Sequence, residues 1–444
     1  MFRLFDLTLI INGFPMQKAK AELNKIVSFS EEEHQQFIEN KKQEIVNFHL
    51  KNNKSYKDFV KKTCFNPKIW VWNELPIMTK KDFQKPLAER ISKGYTLKSI
   101  YINKTSGSSG NPFIFAKDKY SHALTWASNI YRFKWYAIDF NTSCQARFYG
   151  IPLDIIGNKK ERLKDFLKNS YRFTIFDLSD EILEKILFKF RKKKFDYING
   201  YTSSIVLFAK FLQKKGIVLT TVCPTLKCCV VTSEMLFPED KVLMEKQFGV
   251  KIINEYGASE LDLIAFQNPN DEWQVNAETL FVEILDENNN ALPYGKEGRV
   301  VITSLFNKAH PFIRYDIGDI GILDQKSTLK KPILKKLIGR TNDIAILPSG
   351  KKSPGLTFYY VTKSIIEDDG NVKEFVIKQT KIDTFEVEYV SEKKLTDYQI
   401  ENIEAAIALY LEPNLTFTFT QKLSLERTNR GKLKQFRSLL SSQI

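Results

Sequence analysis

Between residues 179 and 260 the chain repeats one pattern: an amphipathic segment, a short β-branched run, then a polar loop. The segment SDEILEKILFKFRKKKF, from Ser179, spaces Ile182, Leu183, Ile186, Leu187 and Phe190 along one helix face. It opens with acids and closes on Arg191 to Lys194, the polarity a helix dipole favours. A second helix, SSIVLFAKFLQKKG, closes at Gly216, and LKCCVVTSE and VKIINEYG read as buried strands that each run into a polar loop. Helix, strand and loop in alternation call for a sheet covered by helices, so the fold class is α/β.

A chain of 444 residues has room for two to four domains. Past residue 275 the pattern changes to paired strands. TLFVEILD and GRVVITSLF, separated by the Asn-, Pro- and Gly-rich ENNNALPYGKE, read as an antiparallel hairpin. KLIGRTND then precedes FVIKQT, TFEVEYV, a helix near 397–411 and LTFTFTQKL, which together read as a small α+β domain. The expected division is a large domain over 1–339 and a small one over 340–444. Residues 15–100, with charge clusters between periodic apolar positions, read as a helical lead-in.

Hydrophobic residues make up 43% of the chain and aromatics 13%, which excludes a disordered protein. The net charge of +15 would suit a polyanion, but it is scattered through helices and no RNP-like, helix-turn-helix or zinc module accompanies it, so no nucleic-acid partner is expected. Five cysteines make no disulfide framework, and Cys223, Cys228 and Cys229 lack paired metal-site spacing; buried thiols are expected. The N-terminal MFRLFDLTLIINGFPM is apolar but broken by Asp6, too short for a bilayer span and without a small-residue cleavage site. No integral membrane segment and a cytoplasmic location are therefore expected, with peripheral attachment through this stretch as the minor alternative.

The strongest local signal is TSGSSGNP, where Thr105, Ser106, Gly107, Ser108, Ser109 and Gly110 follow a short strand-like run. Hydroxyls and glycines in series leave backbone N–H groups free to form an anion nest, so the segment reads as a phosphate cradle, with a surface loop as the plain alternative. It is no P-loop, because Asn111 follows Gly110 where that motif needs Lys. Tyr256, Gly257, Ala258, Ser259 and Glu260 put an aromatic ring, a tight turn and a carboxylate at a loop mouth just after a strand, which suits a nucleobase beside a metal-ligating oxygen. IRYDIGD supplies Arg314 and Asp319 beyond a sheet strand, where an Asp can accept both hydroxyls of a ribose; IGRTND supplies Arg340 and Asp343; RTNRGKLKQF carries Lys432 just after a glycine. Taken singly, each also reads as ordinary turn or surface chemistry.

In this order and at these separations the segments resemble the acyl-adenylate-forming enzymes. With DYINGYTSSIVLFAKFL and IRYDIGDIG, the chain looks most like the branch of phenylacetate-CoA ligase and the CapK-type capsule biosynthesis proteins. The resemblance runs from about residue 60 to the end. It implies a large N-terminal domain and a mobile C-terminal lid turning about Asp343. It further implies that Thr105 to Gly110 hold the β- and γ-phosphates of ATP, that Tyr256 packs near adenine in a pocket also formed by Gly257, Ala258, Ser259 and Glu234, and that Glu260 ligates Mg²⁺. Asp319 would bind the ribose with Arg340 on its other side, and Lys432 would reach the carboxylate and the α-phosphate as the catalytic residue. Two anions meeting need charge neutralisation, so the chemistry is electrostatic and asks for no catalytic histidine.

The implied substrates are ATP and a small carboxylic acid, aryl or otherwise apolar, with CoA as acceptor and a homodimer open. Phe148, Tyr149, Tyr201 and Ile151 are candidates for the acid pocket or for the core. The sequence departs from the family where IAILPSGKK stands after the hinge in place of an aliphatic strand running into Arg-Gly, and where Thr232-Ser233-Glu234 replaces a Gly-rich turn. The first departure leaves open an amine, a sugar or a carrier-protein thiol as acceptor.

Overall fold

The computed structural model describes residues 4–62, 70–104, 114–149, 165, 169–173, 175, 178–340, 344–350, 352–354, 372–410, 412–427 and 433–440. The chain divides into two compact units, the first Met1–Ile317 with Ile322–Lys335, the second Gly318–Gly321 with Lys336–Thr428 and Lys432–Ile444.

The first unit opens with helices α1 (Leu4–Ile11), α2 (Met16–Ser28), α3 (Glu31–Asn52) and α4 (Lys54–Lys62). α3 starts at a reciprocal cap: the Glu33 N–H donates to Ser30 Oγ at 3.1 Å and the Ser30 N–H donates to Glu33 Oε2 at 2.7 Å. Phe5 and Leu9 of α1 are buried with Ala19 and Leu23 of α2. One face of α1 thus joins the core while Leu7, Ile10 and Ile11 stay exposed, and no helix among the described residues is long and apolar enough to cross a membrane. The described helices of the expected lead-in run as far as Lys62. From residue 70 to 100 the chain forms only short turns and α5 (Leu87–Arg90), because Pro76 and Pro86 each remove a helix donor.

Strands β1 (Ile100–Lys104) and β2 (Ile114–Asp118) pair antiparallel ahead of α6 (Lys119–Lys134). A seven-stranded sheet follows. Its strands are β3 (Gln145–Phe148), β4 (Ser170–Phe173), β5 (Tyr197–Tyr201), β6 (Cys228–Thr232), β7 (Lys251–Ala258), β8 (Asp262–Gln267) and β9 (Trp273–Val275). Their order is β4-β3-β5-β6-β7-β8-β9, parallel through β7 and antiparallel beyond. Helices α7 (Asp180–Lys192), α8 (Thr202–Lys214), α9 (Leu219–Val222) and α10 (Pro238–Phe248) join the parallel strands, and Phe148, Phe190, Phe195, Phe208 and Phe248 form the centre of the core on that side. Gly200 lies so close to β3 that a Cβ there would sit 2.4 Å from the Phe148 carbonyl oxygen, so only glycine fits. The described cysteines, Cys144, Cys223, Cys228 and Cys229, are buried free thiols, and no metal-binding group of His, Cys, Asp and Glu exists among the described residues.

Beyond this sheet, β10 (Leu280–Leu285) and β11 (Glu297–Ser304) form the expected hairpin. They belong to a four-stranded sheet of order β10-β11-β12-β13 with β12 (Tyr315–Leu323) and β13 (Leu334–Arg340). The second unit contains the hairpin β14 (Ile344–Ile346) and β15 (Lys352–Pro354), then β16 (Val372–Gln379), β17 (Thr384–Ser391), α11 (Asp397–Tyr410), β18 (Thr416–Gln421) and β19 (Phe436–Ser438). Its larger sheet runs β18-β17-β16-β19, and Phe375, Ile377, Phe385, Val387, Ile403 and Ile407 are buried.

Two buried histidines make the first unit sensitive to acid. His49 Nε2 donates to the Asn307 carbonyl at 2.9 Å, and Nδ1 accepts from the Ser92 hydroxyl at 3.2 Å. His310 Nε2 faces Arg90 Nη1 at 2.5 Å, and since a guanidinium only donates, this imidazole is neutral. Burial holds the His49 pKa down at about 4, against an ordinary 6.5, and pushes His310 down as well. The unfolded chain therefore takes up these protons first: the contribution of these two groups to stability is whole above about pH 6.5 and falls as the pH drops towards 4. We expect urea unfolding to show His49 alone contributing a loss of about 3 kcal/mol across that window. A His49→Gln chain should show a correspondingly shallower pH dependence.

Candidate active site

The strand order reverses once. From β3 the chain adds β4 on one side, then crosses to add β5 on the other, so β3 and β5 flank a switch point. In an open parallel sheet the helices that follow such strands leave in opposite directions and open a crevice at the carboxyl ends. The residues at those ends are Tyr149, which follows β3, Tyr201 on β5, Thr232 on β6 and Glu255 on β7. Tyr201, Thr232 and Glu255 are successive register partners on three parallel strands, so they form one row across the sheet.

The row is bonded internally. The Tyr149 hydroxyl donates to Asn199 Oδ1 at 2.9 Å, Asn199 Nδ2 donates to the Val230 carbonyl at 3.2 Å, and the Tyr149 and Tyr201 rings meet edge to face at 4.9 Å. The Thr232 hydroxyl donates to Glu255 Oε1 at 3.0 Å. Burial pushes the Glu255 carboxyl up to about 7, and burial likewise pushes the Tyr149 hydroxyl upward. Phe148, one residue before Tyr149, packs against Phe173 and Phe208 deep in the core, as strand alternation requires. Glu234 lies at the start of α8, where its Oε2 accepts from the Ser203 N–H at 2.7 Å; Ser233, just before it, has φ +71°. That carboxylate complements the positive end of the helix.

The YGASE segment begins within β7 and turns into β8. Gly257 stands where a Cβ would come within 2.8 Å of the Asp262 carbonyl oxygen. Asp262 itself, at φ +59°, is paired with the buried Lys117 of β2 and accepts from the Thr125 hydroxyl of α6 at 2.8 Å. The turn is thereby fastened from both sides. Tyr256 is largely buried, with its ring edge-on to Trp273 at 6.0 Å. Glu260 is also buried, 4% exposed, and Oε1 accepts from the Tyr315 hydroxyl at 3.0 Å. Tyr315 and Asp319 lie on the same face of β12, two residues being one strand repeat, and both are buried.

Three sequence readings are corrected. Asp319 lies within β12, not past its end. Glu260 is held inside the fold and not at an open loop mouth. Arg314 is wholly buried, and its guanidinium bonds backbone carbonyls of residues 73, 75 and 289, so it works as a structural anchor. Arg340 ends β13 and its side chain lies outside the described residues, as do Thr105 to Gly110, Ile151, Asp343 and Lys432. Glu255, Asn199 and Thr232 were not singled out from the sequence; the available signal was a lone acid in the buried run KIINEYG.

No family model matches the sequence, and no curated protein matches it. Among solved structures, 2-hydroxyisobutyryl-CoA ligase in the postadenylation state in complex with 2-HIB-AMP aligns over 91% of this chain and 89% of its own, with a TM-score of 0.69 at 14% identity. The same ligase in the thioesterification state, in complex with 2-HIB-AMP and CoA, gives 0.57 over 90% and 88% at 15% identity. The amide bond synthetase McbA from Marinactinospora thermotolerans gives 0.51 over 76% and 68% at 14%. The fold is that of the adenylate-forming ligases. Within this fold the seven-stranded sheet with its switch point and the YGASE turn belong to the first unit, and the β18-β17-β16-β19 sheet to the second.

Proposed function

We propose that the protein is an AMP-forming ligase that activates a small carboxylic acid with ATP as an acyl-adenylate and passes the acyl group to CoA, in the manner of phenylacetate-CoA ligase. The observation that carries this reading is Glu260: a buried carboxylate, fixed by Tyr315, four residues beyond Tyr256 at the carboxyl end of a parallel strand, in a chain with the adenylate-forming fold. In this reading Tyr256 to Ser259, with Glu234, border adenine, Asp319 accepts the ribose hydroxyls with Arg340 beside it, and Thr105 to Gly110 take the departing pyrophosphate. Asp343 is the hinge of the 340–444 lid that carries Lys432. The acid, aryl or otherwise apolar in its body, lies against Tyr149 and Tyr201.

Mg²⁺ suits this donor set. It is a hard cation that binds through one or two carboxylates and completes its shell with phosphate oxygens and water, so Glu260 suffices as protein ligand. When bound it would neutralise charge where the two anions meet. Glu260→Gln keeps an oxygen for Tyr315 and loses the charge. We expect roughly tenfold slower adenylation, partly recovered at raised Mg²⁺, with Tm nearly unchanged. Full activity at ordinary Mg²⁺ would remove Glu260 from the metal site.

Pyrophosphate exchange against a panel of carboxylic acids tests the reading, with AMP and pyrophosphate as the nucleotide products. ADP and phosphate among the products would overturn it. A second reading keeps the activation and changes the acceptor to an amine, a sugar or a carrier-protein thiol, as in a CapK-like enzyme. It is favoured by the loop after the hinge, where Ser349 gives both its N–H, at 3.0 Å, and its hydroxyl, at 2.6 Å, to Glu412 in place of the Arg-Gly that CoA users carry.

A further inference from the structure

The crevice holds a carboxyl group that the proposed chemistry does not use. Glu255 stands at the end of the Tyr201–Thr232–Glu255 row, partly exposed, on the strand that leads directly into Tyr256. One of its oxygens accepts from Thr232; the other accepts nothing from the described residues, and no Lys, Arg or His among them pairs with it. Partial removal from water with no cation among the described residues beside it is costly to a carboxylate, and burial raises the pKa of this group. Nothing in the sheet demands an acid here, since Thr232 could equally serve an amide or a hydroxyl. What complements a half-buried carboxylate that no cation among the described residues pairs, beside two tyrosine rings, is a cation with an apolar body: the carboxylate gains its counter-charge and the rings their contact.

We propose that Glu255 determines specificity by receiving a protonated amine, so that the acid activated here is an amino-bearing carboxylic acid whose body packs on Tyr149 and Tyr201. The inference rests on the adenylating reading above and names its substrate class. The amine meets Oε2 of Glu255 while Oε1 keeps its bond to Thr232. A site that presents a charged acceptor rejects an analogue lacking the donor, because the carboxylate would then be buried unpaired.

The test is pyrophosphate exchange with matched series: phenylalanine beside 3-phenylpropanoate and phenyllactate, 4-(aminomethyl)benzoate beside 4-methylbenzoate and 4-(hydroxymethyl)benzoate, and 5-aminopentanoate beside hexanoate and 5-hydroxypentanoate. At least one amino acid should exceed both partners in kcat/KM by about 10²-fold. Glu255→Gln, which preserves the bond to Thr232, should shrink that ratio at least about tenfold, a change of preference that a merely structural role would not produce. If the hydroxy or unsubstituted acids exchange as well as the amino acids in every series, or if Glu255→Gln leaves the ratio intact, the proposal falls while the adenylating reading stands. No exchange with any acid would overturn the adenylating reading and this inference with it. The wild-type ratios decide even where the variant fails to fold.

Discussion

Arg314→Ala should remove about 3–5 kcal/mol from the stability of the first unit, the loss typical when one partner of a buried charge pair is deleted. The side chain is wholly buried just before β12, on a backbone at φ +46°. Nη1 donates to the carbonyls of Asn73 at 2.8 Å and Leu75 at 2.9 Å, Nη2 donates to that of Asn289 at 3.2 Å, and Nε faces Glu283 Oε2 at 3.5 Å. Burial raises the Glu283 pKa and the guanidinium opposes that, so truncation strands both the acid and the carbonyls. Arg314→Lys should recover only part of the loss, because an ammonium cannot span two separated sets of acceptors as a planar fork does. Adding Glu283→Gln to Arg314→Ala should restore more stability than the two single losses would allow by addition. Urea unfolding curves measure all three, and a loss below about 1 kcal/mol for Arg314→Ala would show that the carbonyls find other donors.

That residue also shows where the sequence stops being readable. Arg314 stands five residues before Asp319 and invites a place in the same site, yet its partners come from residues 73, 75, 283 and 289, which no local pattern connects to it. β6 and β7 were legible because strands covered on both faces read as unbroken apolar runs, and Cys228–Thr232 is buried at every position. The helices around them were legible from their apolar stripe and charged ends. Residues 70–100 were not, since periodic apolar positions outweighed the prolines that break the helix there. The YGASE segment stood out because its glycine, hydroxyl and acid are unusual together. Glu255 did not, because one acid in a buried run carries no periodic signal, and only the pairing of β5, β6 and β7 places it in a row with Tyr201 and Thr232.

Lys432→Ala is expected to slow adenylate formation by about 10²-fold or more, the order lost when one pre-organised electrostatic contact is deleted. A carboxylate attacking the α-phosphorus carries its own negative charge towards another, and in the proposed reading Lys432 is the cation the lid delivers to both during that step. A lysine in a basic tail such as RTNRGKLKQF would otherwise be solvated and dispensable, which predicts a near-neutral substitution. The two views separate on the second half-reaction. Once the adenylate exists its charge has been redistributed and the lid has turned, so the variant, given a synthetic acyl-adenylate, should deliver the acyl group at close to the normal rate. Lys434, two residues along, lies in the second unit, where it lines a small hollow with Lys378, Glu388, Glu426 and Arg437. Lys434→Ala should therefore be nearly silent in both half-reactions. Single-turnover rates of adenylate formation and of acyl transfer, measured separately, decide the matter: equal loss in both for Lys432→Ala would mean a static or misfolded site, and loss from Lys434→Ala alone would move the catalytic role to that residue.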